Sequence, residues 1–460
     1  MENAGYAIIV LYLLLLIGLP LAVLKPFKAF LIVVFLISAA GTTEFTYARI
    51  SALGPYFNAN DACLIVSIIA MISYVKITEK KIVFPIVTRW IFLVLFIGFF
   101  QSWYLISGFH YEVLRSLRYA ISMPIYFIVA ATMVNSEGKV RLLLVMLFLG
   151  SIFSAFEHIF FVRSVVNQTA SDISIDQFRT IEFRSPGLWI LLSSIVWLPN
   201  LKGILNHKML VAGGSLFAVS VLLNQTRSIW ISSIAAIPLV FMLFPQKKAV
   251  KRAVIISLLL PVLFIGMLAI IHLATPSIKV DNIIAQRLTT LTDASNRSES
   301  TMTRQNDFER ETTEWLRSTL VFGCGLVYFA PYYLDYYRGY RVAWGHLGHL
   351  SILTQLGIVG LFVFSIYLPI KIIQAARKLW RENSQEIKFL GLLGGMCMVW
   401  SWICFFMSDS FLGYTHFTDG IIFGSVWSQV RALKVSREAE SADCFSNETA
   451  FTQLKNEVGI

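Results

Sequence analysis

The chain passes from a polar segment into an apolar one along the stretch Trp344-Gly-His-Leu-Gly-His-Leu-Ser-Ile-Leu-Thr-Gln-Leu-Gly-Ile-Val-Gly360. Its two histidines, His346 and His349, are three residues apart, so they share one face if the helix has already begun. Gly357 and Gly360 repeat that spacing further along. The change in polarity predicts that both histidines lie where water meets a membrane, and that the rest of the chain builds a scaffold around this corner.

The composition identifies the class of protein. Of the 460 residues, 57% are hydrophobic and only 14% are charged, and the mean hydropathy is +0.69. Such a chain has too few polar residues to cover a soluble globule, so it is an integral membrane protein. The apolar runs are long enough for helices, and none alternates as the strands of a membrane barrel do, which predicts α-helical spans.

The charges and cysteines argue against several other classes. The net charge of +11 does not indicate a nucleic-acid partner, because the basic residues fall in short clusters between apolar runs, as in cytoplasmic loops. The five cysteines have no metal-ligand spacing, and three of them lie in or beside apolar runs. We therefore expect neither a disulfide framework nor a metal site.

Thirteen apolar runs are predicted to span the membrane. The first, Tyr6 to Leu24, is kept as a span because it lacks the basic start and the cleavage site of a signal peptide. The runs 62–75 and 209–223 are shorter than the ~20 residues of a perpendicular span, so either is a candidate re-entrant segment and the count would then be twelve. The predicted spans are 5–24, 29–48, 62–75, 88–109, 118–134, 142–163, 187–204, 209–223, 228–244, 253–274, 349–375, 388–410 and 419–433.

Clusters of Lys and Arg occupy alternate connections between these spans, which marks those connections as cytoplasmic. The densest is Gln246-Lys-Lys-Ala-Val-Lys-Arg252, and others lie around Lys76, Lys139 and Arg377. The N-terminus then lies outside and the C-terminus inside. The predicted parts are N-terminal transmembrane helices (1–274), a large periplasmic loop (275–348), C-terminal transmembrane helices (349–435) and a mobile cytoplasmic tail (436–460).

The large loop is the one soluble-like segment of the sequence. Its region Ile283–Leu320 mixes charges with spaced apolar residues, as does an amphipathic helix that lies on a membrane surface. The predicted fold is thus an all-α polytopic membrane protein, with 12–13 transmembrane helices and one large periplasmic loop that contains amphipathic helices.

Five ionisable residues are predicted to lie on the outer side of the membrane. The Lys and Arg clusters that define this side do not include them, so their shared location is independent support. They are Arg184, Arg227, Arg304, His346 and His349. The planar fork of arginine matches phosphate oxygens in bidentate fashion, which favours a lipid-linked phosphate or diphosphate as ligand. A histidine takes up a proton near neutral pH, as a general base for a sugar hydroxyl must. The alternatives are that the arginines anchor helix ends at lipid headgroups and that the histidines form only structural hydrogen bonds. The structural interpretation is preferred for His110, His158, His207 and His416.

These residues resemble the motifs of the bacterial O-antigen ligase and Wzy-type polysaccharide polymerase superfamily, from about Arg179 to Leu361. Members typically have an Arg before a Gly/Pro-containing span start, and a Ser/Thr-Arg before an aromatic-rich span. A loop arginine then precedes an amphipathic helix that ends in Gly-x-Gly, and a His opens a helix that ends in Gly-x-x-Gly. The matching segments are Arg184 with Pro186-Gly187, Thr226-Arg227 with Trp230, Arg304 through to Gly323-Cys-Gly325, and His346 through to Gly357-Ile-Val-Gly360. His349 is an addition to this pattern, and the spacing to Gly357 favours His346 as the working histidine.

The resemblance implies a glycosyltransferase of the GT-C-like kind, inverting and independent of metals or other cofactors. It would transfer a glycan from undecaprenyl diphosphate to an acceptor in the periplasm. Arg184 and Arg227 would hold the diphosphate, and Arg304 would support the donor or acceptor. His346 would orient or deprotonate the acceptor hydroxyl, with His349 as a supporting neighbour in the diphosphate site.

Polymerisation of lipid-linked repeat units, for O-antigen or exopolysaccharide, is the favoured function. The nearest alternative is an O-antigen ligase that transfers the finished glycan to lipid A-core. A lipid-linked oligosaccharide transporter or flippase is the alternative of another class, and it predicts polar groups at mid-span and inverted repeats. The expected location is the bacterial inner membrane, with the active site facing the periplasm. The expected partners are the undecaprenyl-diphosphate-linked oligosaccharide, the lipid bilayer, and a chain-length regulator or another polysaccharide-assembly protein.

Overall fold

Apolar runs become helices almost throughout the computed structural model. It describes residues 3–39, 58–105, 110–168, 186–201, 205–223, 227–245, 308–309, 312–329, 340–342, 348–406 and 416–458. Twelve of the thirteen predicted spans coincide, wholly or in part, with helices, and the predicted span 253–274 lies outside the described residues. The helices are α1 (Asn3–Leu24), α2 (Pro26–Ala39), α3 (Ala59–Thr78), α4 (Ile86–Leu105), α5 (His110–Met133), α6 (Glu137–Gln168), α7 (Pro186–Val196), α8 (His207–Leu223), α9 (Arg227–Leu243), α10 (Gly348–Leu361), α11 (Leu368–Trp380), α12 (Gln385–Cys404) and α13 (Phe417–Val458), with a π-helical turn at Phe362–Tyr367.

The all-α polytopic membrane fold is confirmed. In the described part of the chain, six helical segments are long and apolar enough to cross a membrane, and five further apolar helices are shorter. One of the six, Gly348–Trp380, is interrupted at Gly357. The run 62–75 lies within the 20-residue helix α3, whose first turn is closed by a capping box between Asn58 and Asp61. A helix of that length can cross the membrane, so the short run 62–75 does not require a re-entrant segment. Helix α8, over the run 209–223, has only 17 residues.

The helix ends meet in the two groups that the charge bias predicts. Among the ends predicted to be cytoplasmic, Lys139 Nζ donates to the Tyr74 hydroxyl at 2.6 Å, and Arg141 pairs with Glu386 at 2.8 Å. Among the opposite ends, Arg118 of α5 pairs with Asp61 of α3 at 3.0 Å. The alternating up-and-down course of the chain follows from these contacts, while the compartment that each group faces stays a prediction.

One predicted span is wrong as a continuous helix, namely 349–375. Gly357 has φ 65° and ψ −164°, which is not helical, and the His349 ring nitrogen Nδ1 lies 2.7 Å from the Ser365 hydroxyl. Sixteen residues of continuous α-helix would separate the two by about 24 Å. The chain therefore folds back at Gly357, so that an entry half-helix (348–356) packs beside a return helix (358–380).

The break leaves backbone groups without helical partners, and a segment of the large loop supplies them. Carbonyl groups near the end of the entry half-helix and amide groups at the start of the return helix both need hydrogen bonds in an apolar environment. The loop residues 320–325, here named the tip clamp, bond to both sides. The four bonds are Ile358 N to Leu320 O at 3.1 Å, Val359 N to Val321 O at 3.2 Å, Cys324 N to Thr354 O at 2.8 Å and Gly325 N to Gln355 O at 2.8 Å.

The glycines of the two motifs make this contact possible. Gly323 and Gly325 have φ of +74° and +94°, in the region that favours glycine. A Cβ on Gly323 would lie 2.6 Å from the backbone nitrogen of Gly357, and a Cβ on Gly357 would collide with the Val321 backbone. The Gly-x-Gly of the loop and the first glycine of the Gly-x-x-Gly thus pack backbone against backbone.

The structure adds detail to the predicted loop and tail. Strands β1 (Val327–Phe329) and β2 (Tyr340–Val342) form a short antiparallel pair in the loop, beside the predicted helices. Within the predicted amphipathic segment Ile283–Leu320, residues 308–309 and 312–317 are helical, and residues 283–307 lie outside the described residues. The backbone of the tail is helical, because α13 continues to Val458, and the mobility of the tail stays a prediction.

Gly357→Ala should destabilise the protein, since the backbone conformation at this position alone costs an alanine about 1–3 kcal/mol and its Cβ meets the tip clamp. The expected result is a lower melting temperature in detergent. Gly138→Ala is the matched control, because a Cβ at Gly138 meets nothing within 4 Å. Equal melting of both variants and the wild type would contradict the packing of the tip clamp on Gly357.

Candidate active site

Three of the predicted site residues lie at, or two positions before, the starts of helices that meet at the end of the bundle predicted to be outer. Arg227 is the first residue of α9, of which the backbone is described. Arg184 and His346 lie outside the described residues, each two positions before a described helix, α7 and the entry half-helix. Arg304 also lies outside the described residues. His349 is described in full.

Three groups of His349 form hydrogen bonds, two of them to the end of α12 and one to the return helix. Its Nε2 lies 2.9 Å from the carbonyl oxygen of Trp402, its Nδ1 lies 2.7 Å from the Ser365 hydroxyl, and its backbone amide donates to the Phe405 carbonyl at 3.3 Å. A carbonyl can only accept, so Nε2 carries the hydrogen and Nδ1 of the neutral ring accepts from Ser365. His349 therefore caps the last turn of α12, where carbonyls lack helical partners.

Aromatic rings enclose the His349 imidazole. The rings of Trp402 and Phe405 each lie 5.6 Å from it, centre to centre, and that of Phe406 lies at 4.5 Å. The indole nitrogen of Trp402 donates to the Ser365 carbonyl at 2.8 Å. The entry half-helix, the return helix and α12 are thus joined at one level of the bundle.

The starts of α7 and α9 dock on the same part of α12. The ring of Trp189, five residues after Arg184, packs on the ring of Trp400 at 6.1 Å. The indole nitrogen of Trp400 donates to Ser233, six residues after Arg227, at 3.1 Å. Residues 400–405, at the end of α12, therefore contact α7, α9 and the entry half-helix. Helix α9 begins at Arg227, and the other two begin two residues after Arg184 and His346.

Sequence reasoning missed a second histidine cluster on the other side of α12. His416 Nδ1 lies 2.6 Å from the Asp419 carboxylate, and Ser401 and Cys397 of α12 lie 3.4 and 3.5 Å from the two carboxylate oxygens. His416 was assigned a structural hydrogen bond, and it has one. The available signal was the spacing His-Phe-Thr-Asp at the start of the last span, which places both side chains on one helix face.

One part of the chain matches a known protein family. Residues 212–365 match the family model described as O-antigen ligase. Over this segment the chain is similar to the O-antigen ligase family. The resemblance predicted from the motifs is thereby confirmed, and the family consists of membrane enzymes that process glycans. No curated protein matches the chain.

The matched segment contains most of the predicted site. Arg227, Arg304, His346 and His349 fall inside it, and Arg184 precedes it. The segment ends at Ser365, the residue that bonds to His349. Among the described residues, no group of three or more His, Cys, Asp or Glu side chains has the arrangement of a metal site.

Cys324 of the tip clamp reports on whether the clamp is docked. Burial raises the pKa of its thiol from the ordinary value of 9.0 to about 11, so the reactive thiolate is scarce at pH 8. In a variant whose other four cysteines are alanine, iodoacetamide should therefore label Cys324 slowly. Gly357→Ala, which undocks the clamp, should raise the labelling rate by up to about 100-fold, as a pKa near 9 implies. Unchanged labelling, equal to that of a Gly138→Ala control, would refute the docked clamp.

Proposed function

We propose that this protein is an inverting, metal-independent glycosyltransferase that polymerises undecaprenyl-diphosphate-linked oligosaccharide repeat units. The reaction takes place at the periplasmic face of the bacterial inner membrane. The observation that carries the proposal is the meeting of α7, α9 and the entry half-helix at residues 400–405 of α12. Each of these helices begins at, or two residues after, a predicted site residue.

The proposed chemistry needs only charge, position and a base. His346 takes the proton from the acceptor hydroxyl, whose oxygen attacks the anomeric carbon from the side opposite the diphosphate. The bond from that carbon to the diphosphate oxygen breaks, and the electron pair leaves with the diphosphate. Arg184, Arg227 and Arg304 offset the charge that grows on the leaving group, which is the role that a metal ion would otherwise fill.

We assign His349 to the support of His346. Both of its ring nitrogens already have protein partners, Trp402 and Ser365. The ring would have to leave one of them to bind a diphosphate oxygen. Its cap on α12 fixes the first turn of the entry half-helix instead, three residues after His346.

An apolar groove supports a lipid-linked donor. The groove, of about 440 Å³, lies between α9, the return helix and α12, and residues such as Leu239, Ile370 and Met398 line it. Ser365 and Trp402, which hold His349, also line the groove. Ile370 is 48% exposed, so the groove opens toward the surrounding lipid. A polyprenyl chain lying there would have its diphosphate end near the proposed site.

The second candidate function is the ligase, which transfers the finished glycan to lipid A-core. The description of the family model, O-antigen ligase, favours it. Incubating the purified protein with undecaprenyl-diphosphate-linked repeat units, with and without lipid A-core, separates the two on a gel. A ladder without core supports the polymerase, and a single core-linked band supports the ligase. Lipid movement across vesicles with no glycan product would contradict both enzymes and indicate a transporter.

His346→Ala and Arg227→Ala should each lower the transfer rate by about 100-fold or more. The first variant loses the base, and the second loses stabilisation of the leaving group. The measurement is the yield of extended or core-linked glycan at equal protein level. Matched controls are His207→Ala and Arg381→Ala, which replace exposed residues at the opposite helix ends and should retain activity. Near-normal transfer by either site variant would refute the role of that residue.

Ile370→Trp should fill the groove and weaken binding of the donor's lipid. We expect KM for an undecaprenyl donor to rise about tenfold, which corresponds to about 1.4 kcal/mol, with a smaller change for a short-chain donor. The control is Ile72→Trp on α3, since Ile72 is 44% exposed and does not line this groove. An equal effect on both chain lengths would contradict binding of the tail in the groove.

A further inference from the structure

The pair His416 and Asp419 is buried in the outer part of the bundle. Their side chains are 3% and 0% exposed. An ionisable pair in this position is costly unless its members satisfy each other and find further hydrogen bonds. Asp419 lies in the first turn of α13, where the helix dipole favours a negative charge. Ser401 and Cys397 provide its remaining contacts.

This pair and His349 hold α12 from different sides at the same height. Ser401 contacts the Asp419 carboxylate, and the next residue, Trp402, accepts the hydrogen bond from His349. Consecutive residues of a helix point about 100° apart, because a turn contains 3.6 residues. Movement of α12 at Ser401 would therefore displace the carbonyl that fixes the His349 ring.

Phe405 forms a second connection between the two histidines. Its ring lies 5.4 Å from that of His416 and 5.6 Å from that of His349, edge to face in both cases. Its carbonyl also accepts the backbone amide of His349. The start of α13, the end of α12 and the start of the entry half-helix are thus packed in one continuous series of contacts.

We propose that His416 and Asp419 are positioning residues that hold the end of α12 against His349, and so fix the entry half-helix that follows His346. They do not touch the reacting atoms. Fully satisfied polar networks of this kind rigidify a particular arrangement of helices. The significance for catalysis rests on the proposed glycosyl transfer, whereas the physical coupling between Asp419 and His349 does not.

A double-mutant cycle tests the coupling. Asp419→Asn keeps the size of the side chain but removes its charge, and we expect kcat for transfer to fall about tenfold with KM unchanged. In a His349→Ala background the same change should lower kcat by less than about twofold, because the contact that it supports is already absent. Asp61→Asn is the matched control: Asp61 is a partly buried carboxylate at the same end of the bundle, paired with Arg118 away from α12.

Melting in detergent gives a readout that does not depend on activity. If the positioning role holds, the decreases in melting temperature caused by Asp419→Asn and His349→Ala will be smaller in combination than their sum. Additive decreases, or an equal loss of kcat in both backgrounds, would overturn the proposal. A wild-type protein without transfer activity would refute the proposed function, and the melting cycle would still decide the coupling. If Asp419→Asn does not fold, Ser401→Ala replaces it in the same cycle.

Discussion

The backbone groups opened at Gly357 have to find hydrogen bonds in surroundings where water is scarce. A helix that reverses direction leaves carbonyls at the end of one half and amides at the start of the other, and in a membrane such groups cost several kcal/mol each when unpaired. The tip clamp supplies both sets from the large loop. The tip clamp is thereby attached to both halves of the reversed segment through main-chain bonds, which no side-chain substitution removes directly.

This reversal explains how a site residue reaches α12. A straight span would carry His349 about 24 Å from Ser365, whereas the folded-back segment brings them into contact. The ring then caps α12 beside the tryptophans that receive α7 and α9. Three helices that begin at, or two residues after, predicted site residues distant in sequence therefore surround one short segment. That arrangement suits a reaction whose donor brings its own leaving group and whose enzyme contributes charge, position and a base.

Much of this arrangement can be predicted from the sequence, and there is a physical reason why the rest cannot. Apolar length alone predicted the helices, and the charge clusters predicted which ends meet, as the Arg141–Glu386 pair illustrates. Hydropathy could not reveal the reversal at Gly357, because residues on both sides of it are equally apolar. The two-glycine motifs were visible, but their pairing depends on positive φ angles and on a backbone contact between segments some thirty residues apart. The His416–Asp419 pair was passed over because a single histidine at a membrane boundary is usually structural.

The proposed active site requires that the segments of Arg227 and His346 meet at one face of the membrane. The most direct test is a distance measurement by pulsed electron paramagnetic resonance, between spin labels at positions 227 and 346, with the pair 227 and 207 as reference. If the two segments meet, the first distance is well below the second, which is set by the length of the 17-residue helix α8, about 25 Å. A distance between 227 and 346 that matches the membrane thickness would contradict the proposed active site.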